Sequence, residues 1–445
     1  MSNQKQTKGS GKIVAIIAMF FLFAMISFVT NLAAPIGTIW KNSYSWAGMM
    51  GNLMNFLAYL IMGIPAGYLL VKIGYKKTAL WAMAIGFIGI TVQYISSYVG
   101  AGVNCFSVSG QPVELNFLIY LLGAFISGFC VCMLNTVVNP LLNTLGGGGA
   151  KGNQLLQAGG SCNSLSATLT PLLVGVLIGT VTEKTSLTDV SPLLLIAMGV
   201  FAVSFAVISF VKIPEPKSGN KKTATKDKYS PWSFRHTVLG VIGIFFYVGI
   251  EVGIPGVLIF YLSDSAASGI TKDASAVAGA VAAVYWLLML VGRLSSSLIS
   301  GKVSSRTQLI VVSATAIILV ALAIYLPNTI RVSMPAYSAT AGFSMAEVPI
   351  SALMLVLCGL CTSVMWGGIF NLAVEGLGKY TAKASGIFMM MVVGGGVMPY
   401  IQDKLSECFG YLQSYWLVIA MLIYLLYYAL IGCKNVNKDI PTGEK

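Results

Sequence analysis

The feature that most constrains this chain is a repetition: an apolar stretch of about twenty residues, a short polar interruption, then another apolar stretch. Twelve such stretches occur, at about 13–35, 47–71, 78–99, 116–143, 154–180, 192–213, 236–262, 274–300, 308–327, 348–374, 384–402 and 412–433. About 20 largely apolar residues cross the hydrocarbon of a bilayer as a helix. Lipid-facing backbone must satisfy its own hydrogen bonds, so the spans are predicted to be helices. Composition agrees: 56% of the 445 residues are hydrophobic and 9% are charged, against roughly 25% charged in a soluble domain. The first stretch exceeds the 7–15 apolar residues of a signal-peptide core and reads as the first spanning helix.

The net charge is +13, but the basic residues sit in short clusters between spans rather than on a continuous face, which argues against a nucleic-acid partner. One set of loops carries Lys72, Lys76, Lys77, Lys151, Lys302, Arg306, Lys379 and Lys383; the opposite set carries only Lys41, Lys184, Lys272, Arg331 and Lys404. The positive-inside rule then places both termini and the Lys-rich central loop on the cytoplasmic side. The expected organisation is a cytoplasmic tail (1–12), a six-helix bundle (13–213), a basic linker (214–235), a second six-helix bundle (236–433) and a cytoplasmic tail (434–445).

The two halves echo each other. Asn139 stands seven residues before Gly146 in "NPLLNTLGGG", and Asn371 seven before Gly378 in "NLAVEGLGKY". Duplicated bundles that rock about a shared site are an architecture of secondary transporters. A G-x-x-x-x-G-K-[ST] phosphate loop is absent from the sequence, and His236 is its one histidine, which excludes H-E-x-x-H metal chemistry and leaves a Ser-His-Asp triad only His236 to use. The sequence implies neither an enzyme nor a bound cofactor. Most of the eight cysteines lie in apolar spans and read as small hydrophobes; Cys105 and Cys408 fall in or near outer loops, and nothing supports a bridge between them.

Of fourteen acidic residues, thirteen fall in loops, tails or span ends; Glu251 alone lies deep in a span, "GVIGIFFYVGIEVGIPGVLIFYL". It follows His236 by fifteen residues, roughly 22 Å along a helix. An acid at that depth costs about 2.5–3.5 kcal/mol on insertion scales and should face an interior cavity. There it can exchange a proton, or stay ionised and bind sodium through oxygen ligands; the alternative is a structural glutamate that holds neighbouring helices together.

Several stretches resemble the major facilitator superfamily, and within it the fucose/glucose/galactose:cation symporter family: "GIPAGYLLVKIGYKK" (63–77), "NPLLNTLG" (139–146), "FFYVGIEVGI" (245–254), "VYWLLMLVGR" (284–293) and, most specifically, "IFNLAVEGLGKYTAKASGIFMMMVVGGGVMP" (369–399). The resemblance covers nearly the whole chain. It implies an all-α membrane protein of twelve transmembrane helices in two pseudo-symmetric six-helix bundles, the major facilitator fold. It also implies import of a hexose or deoxyhexose across the inner membrane by cation-coupled alternating access, with H+ or Na+ as the coupling ion and the monomer as the working unit. A non-transporting sugar sensor and an exporter of another small metabolite are the alternatives. The chain departs from the family at several positions. Val71 replaces an acid in the loop motif, Asn31 and Asn135 replace the acids of proton-coupled fucose carriers, and Gly160 replaces a glutamine.

An amide binds a sugar hydroxyl but does not titrate at physiological pH. Asn31, Asn52, Asn135 and Asn163 match cavity-facing family positions and are candidate sugar contacts; Tyr247, Trp286 and Trp366 are candidate covers for the apolar sugar face. Glu251 is the candidate cation-coupling residue. Arg293 and Glu375 are read as parts of a gate network, and Asn139 and Asn371 as structural amides.

Overall fold

The structure is a computed structural model and describes residues 2–44, 47, 50–108, 110–178, 187–215, 229–272, 274–338, 342–437 and 439–442. Most of the expected linker, 216–228, lies outside the described residues. The helices are α1 (Ser2–Ser43), α2 (Met50–Ser96), α3 (Leu115–Leu145), α4 (Gly149–Ile178), α5 (Ser191–Phe210), α6 (Arg235–Ser263), α7 (Ser265–Ser268), α8 (Ala274–Ile299), α9 (Ser305–Tyr325), α10 (Ile350–Thr362), α11 (Met365–Ala373), α12 (Thr381–Met390), α13 (Gly394–Phe409), α14 (Tyr411–Ser414) and α15 (Trp416–Tyr427). Among the described residues, ten helical stretches are long and apolar enough to cross a membrane. One of them, α2, has 47 residues, roughly 70 Å of helix and enough for two crossings. Its two spans meet at Gly74, whose φ of 86° and ψ of 175° break the helix. With α4, 30 residues long, the helices account for the twelve expected spans.

Outside the spans the chain forms two antiparallel hairpins that the all-helical reading did not anticipate. Strand β1 (Asn104–Val108) pairs with β2 (Gln111–Glu114), and β3 (Arg331–Ser338) pairs with β4 (Gly342–Pro349) in register from Arg331↔Pro349 to Ser338↔Gly342. Pairing the strands satisfies backbone groups that a loop would leave to water.

The chain forms two compact units. The first comprises 1–145, 165–226 and 379–390; the second comprises 146–164, 227–378 and 391–445. In the first unit, glycines allow α2 and α12 to touch backbone to backbone. A Cβ on Gly63 would collide with Met390, and one on Gly386 would lie 2.5 Å from the Gly63 carbonyl oxygen. At the Gly74 break, the freed backbone N–H groups find a carboxylate. Tyr75 N donates to Glu215 at 2.6 Å and Lys76 N donates to it at 3.1 Å, while Lys76 Nζ donates to the Ser209 carbonyl at 2.7 Å.

Two spans are interrupted. The tenth breaks between α10 and α11 at Ser363–Val364, and the eleventh passes through a 3₁₀ turn, Met391–Val393, before α13. The run "GGG" (394–396) has one clear use: a Cβ on Gly394 would strike the Phe245 carbonyl, so the glycine sets the close approach of α13 to α6. Cys105 and Cys408 are both free and exposed, and no bridge joins them.

Candidate functional site: an ion pair inside the second unit

Tyr247 and Glu251 lie four residues apart on α6 and therefore share a face. Across from them α8 presents Arg293. Its Nη2 lies 3.2 Å from Glu251 Oε1, with side-chain exposures of 9% for Arg293 and 17% for Glu251. Glu251 is thus not the isolated carboxylate expected from the sequence; it is one half of a largely buried ion pair. Arg293 in turn takes Glu251, not Glu375, as its carboxylate. Glu375 has an exposed side chain, and its backbone carbonyl accepts from His236 Nε2 at 3.0 Å.

The Nη1 and Nε donors of Arg293 are also used. Nη1 donates to the Gly160 carbonyl at 3.0 Å and to Ser164 Oγ at 2.8 Å, with Asn163 Oδ1 at 3.5 Å. Nε points to the Ser363 carbonyl at 3.4 Å. At the same break, the Val364 carbonyl accepts from Gly368 N at 3.1 Å and from Gln157 Nε2 at 3.0 Å. A guanidinium carries five N–H donors in a fixed fork, and this pocket supplies acceptors from α4, α6 and the α10–α11 break together.

Gly160 leaves room for the arrangement. A Cβ there would sit 3.3 Å from Arg293 Cδ and 3.6 Å from its Nε, so a glutamine side chain would compete with the guanidinium for space. The sequence showed only that a glutamine was missing; it did not show what took its place.

Aromatic side chains surround the pair. Tyr247 is fully buried, and its hydroxyl lies beside Glu251 and Arg293. Its ring packs against Trp366 at 6.0 Å between centroids, and Trp286 meets Tyr285 edge-on at 5.4 Å. Both tryptophans are half-buried.

The first unit holds the other candidate amides. Asn135 is 9% exposed and donates to Tyr59 Oη at 2.8 Å and to the Val131 carbonyl at 3.2 Å. Tyr59 had no signal in the sequence, because its partner lies 76 positions away. Asn139 donates back to the Asn135 carbonyl at 2.8 Å, a bond within α3 beside Pro140. Asn31 is half-buried and donates to the Ser27 carbonyl at 2.8 Å. Asn52 is half-buried on α2, three residues before Asn55, whose buried Oδ1 has no hydrogen-bond partner among the described residues. Asn371, in the second unit, donates to Ser305 Oγ at 2.8 Å and ties α11 to the start of α9. Among the described residues, no group of three or more His, Cys, Asp or Glu could hold a metal ion.

Helices broken inside spans and a buried ion pair fit a carrier scaffold. Residues 15–400 match the sequence profile of the Major Facilitator Superfamily. The chain belongs to this superfamily. It is 28% identical over 429 residues to the glucose/galactose transporter of Brucella abortus biovar 1 (strain 9-941), covering 95% of this chain and 94% of that one. It is 22% identical over 434 residues to the L-fucose-proton symporter of Escherichia coli K12, covering 91% and 89%. A crystal structure of the E. coli fucose:proton symporter superposes with a TM-score of 0.76 at 19% identity, over 94% of this chain and 98% of that one; this likeness shows the fold. The stretch 63–77 ends the second span and contains the Gly74 break. Val71 stands where an acid was expected and is 46% exposed, and Glu215, from beyond α5, brings a carboxylate to the same stretch.

Proposed function

We propose that this protein imports a monosaccharide, a hexose or deoxyhexose, by cation-coupled alternating access. The names of its relatives support a sugar as cargo. The observation that carries the coupling is the buried Glu251–Arg293 pair, with Arg293 also bonded to the stretch of α4 that holds Asn163. Glu251 is the one carboxylate deep within a span, and Asn31 and Asn135 do not titrate in the working range. Glu251 is therefore assigned the coupling role.

The coupling ion is H+ or Na+; either adds a positive charge to a carboxylate that already has a guanidinium 3.2 Å away, so taking it up works against the ion pair. Asn31, Asn52, Asn135, Asn163, Tyr247, Trp286 and Trp366 are kept as the candidate substrate contacts. The working unit is the monomer, in the inner membrane, with both termini and the central linker cytoplasmic.

Uptake of labelled D-galactose, D-glucose and L-fucose into vesicles tests the reading, with proton and sodium gradients imposed separately. Accumulation is expected under one of the two gradients. Glu251→Gln should abolish accumulation while leaving sugar counterflow measurable. Full accumulation by Glu251→Gln would remove Glu251 from the coupling role.

A further inference from the structure

We propose that Arg293 is a positioning residue that makes sugar affinity depend on the state of Glu251, and that Gly160 is a glycine because this guanidinium occupies the space a side chain would take. The proposal rests on the transport reading above and deepens it.

One side chain touches both groups that the transport cycle has to link: Nη2 reaches Glu251 and Nη1 reaches α4. Nη1 carries two N–H groups but faces three acceptors. The Gly160 carbonyl at 3.0 Å and Ser164 Oγ at 2.8 Å are well placed; Asn163 Oδ1 at 3.5 Å is at the limit of a hydrogen bond. Asn163 is therefore the contact that Arg293 yields most readily, and a sugar hydroxyl can take it over while Gly160 and Ser164 hold the guanidinium in place.

The converse also follows. When Glu251 is neutralised, Nη2 loses its anionic partner. The guanidinium can then lean toward α4 and compete for Asn163 Oδ1. Because the fork is rigid, a shift at one nitrogen moves the others. Sugar affinity and the charge on Glu251 are thus linked through one side chain, and the linkage is reciprocal. A lysine would keep the positive charge beside Glu251 but would not make the forked contacts to Gly160 and Ser164. A bare counter-charge and a positioning fork are thereby separable.

The test measures the affinity of purified protein in detergent for labelled D-galactose, D-glucose and L-fucose. Five proteins are compared: wild type, Glu251→Gln, Arg293→Lys, the double variant Glu251→Gln/Arg293→Lys, and Gly160→Val, which crowds the guanidinium while keeping all three polar residues. Glu251→Gln is expected to change wild-type affinity by roughly 2- to 10-fold, the range of one hydrogen bond. In the Arg293→Lys background the same substitution should change it by less than about 2-fold, so the two effects are non-additive. Gly160→Val should shift affinity in the same direction as Arg293→Lys. If Arg293→Lys does not fold, Glu251→Gln is tested in the Gly160→Val background with the same expectation.

An equal Glu251→Gln effect in the wild-type and substituted backgrounds would overturn the proposal and leave Arg293 as a counter-charge only. That result would leave the transport reading standing. Failure of wild-type protein to bind or accumulate any of the three sugars would instead sink the transport reading, and this proposal with it.

Discussion

Removing Arg293 alone should destabilise the protein more than removing the whole ion pair. In Arg293→Met the methionine keeps most of the apolar stem, so the packing loss is small. The electrostatic loss is not, because Glu251, with 17% of its side chain exposed, would remain as a nearly buried charge without a partner. Truncating one member of a buried pair costs about 3–5 kcal/mol. Loss of the donors to the Gly160 carbonyl and Ser164 Oγ adds about 0.5–1.5 kcal/mol each where the acceptor is not resupplied. Protonation of Glu251 offers an escape and caps the total, so the expected cost of Arg293→Met is about 3–5 kcal/mol. Glu251→Gln/Arg293→Met removes both charges, and neutral replacements of buried pairs are often close to neutral in stability. The double variant should therefore recover about 2 kcal/mol or more relative to Arg293→Met. Unfolding by SDS titration in mixed micelles measures both differences under one protocol. If the double variant is no more stable than Arg293→Met, with the two costs simply adding, the pair is not energetically coupled and the site has been misread.

Three further outcomes are expected. Gly63→Val should cost about 1–3 kcal/mol or more through overpacking against α12, read as loss of monodisperse protein after mild heating; wild-type behaviour would mean that α2 and α12 do not touch there. Asn371→Ala should lower stability by about 0.5–1.5 kcal/mol through loss of its bond to Ser305 while leaving sugar affinity unchanged, and a change of affinity at constant stability would make it a substrate contact. Glu215→Ala removes the acceptor for Tyr75 N and Lys76 N and should speed trypsin cleavage at Lys76 and Lys77; an unchanged cleavage rate would show that the clamp does not hold the loop.

The sequence by itself determined the number of spans, their helical character and the presence of a single carboxylate deep in a span. These are local facts: twenty apolar residues have few other ways to cross a bilayer, and one acid among them is visible wherever it points. The resemblance carried by 369–399 then indicated the superfamily that the profile match shows. What Glu251 does was not legible in the same way. Counted along the helices, it lies sixteen residues from Arg235, roughly 24 Å, whereas Arg293 lies six residues from Ile299, roughly 9 Å. Those depths suggest two separate roles and direct Arg293 toward Glu375. Only tertiary structure supplies the relative offset and inclination of α6 and α8 and the reach of an arginine stem, which together close that gap to 3.2 Å. The same holds for Glu215, 140 positions from Tyr75, and for Gly160, whose missing side chain is an absence in the sequence and a place for a guanidinium in the fold. Hydrophobic periodicity records which segments leave water. It does not record which of them meet, because that is decided by contacts between residues far apart in the chain.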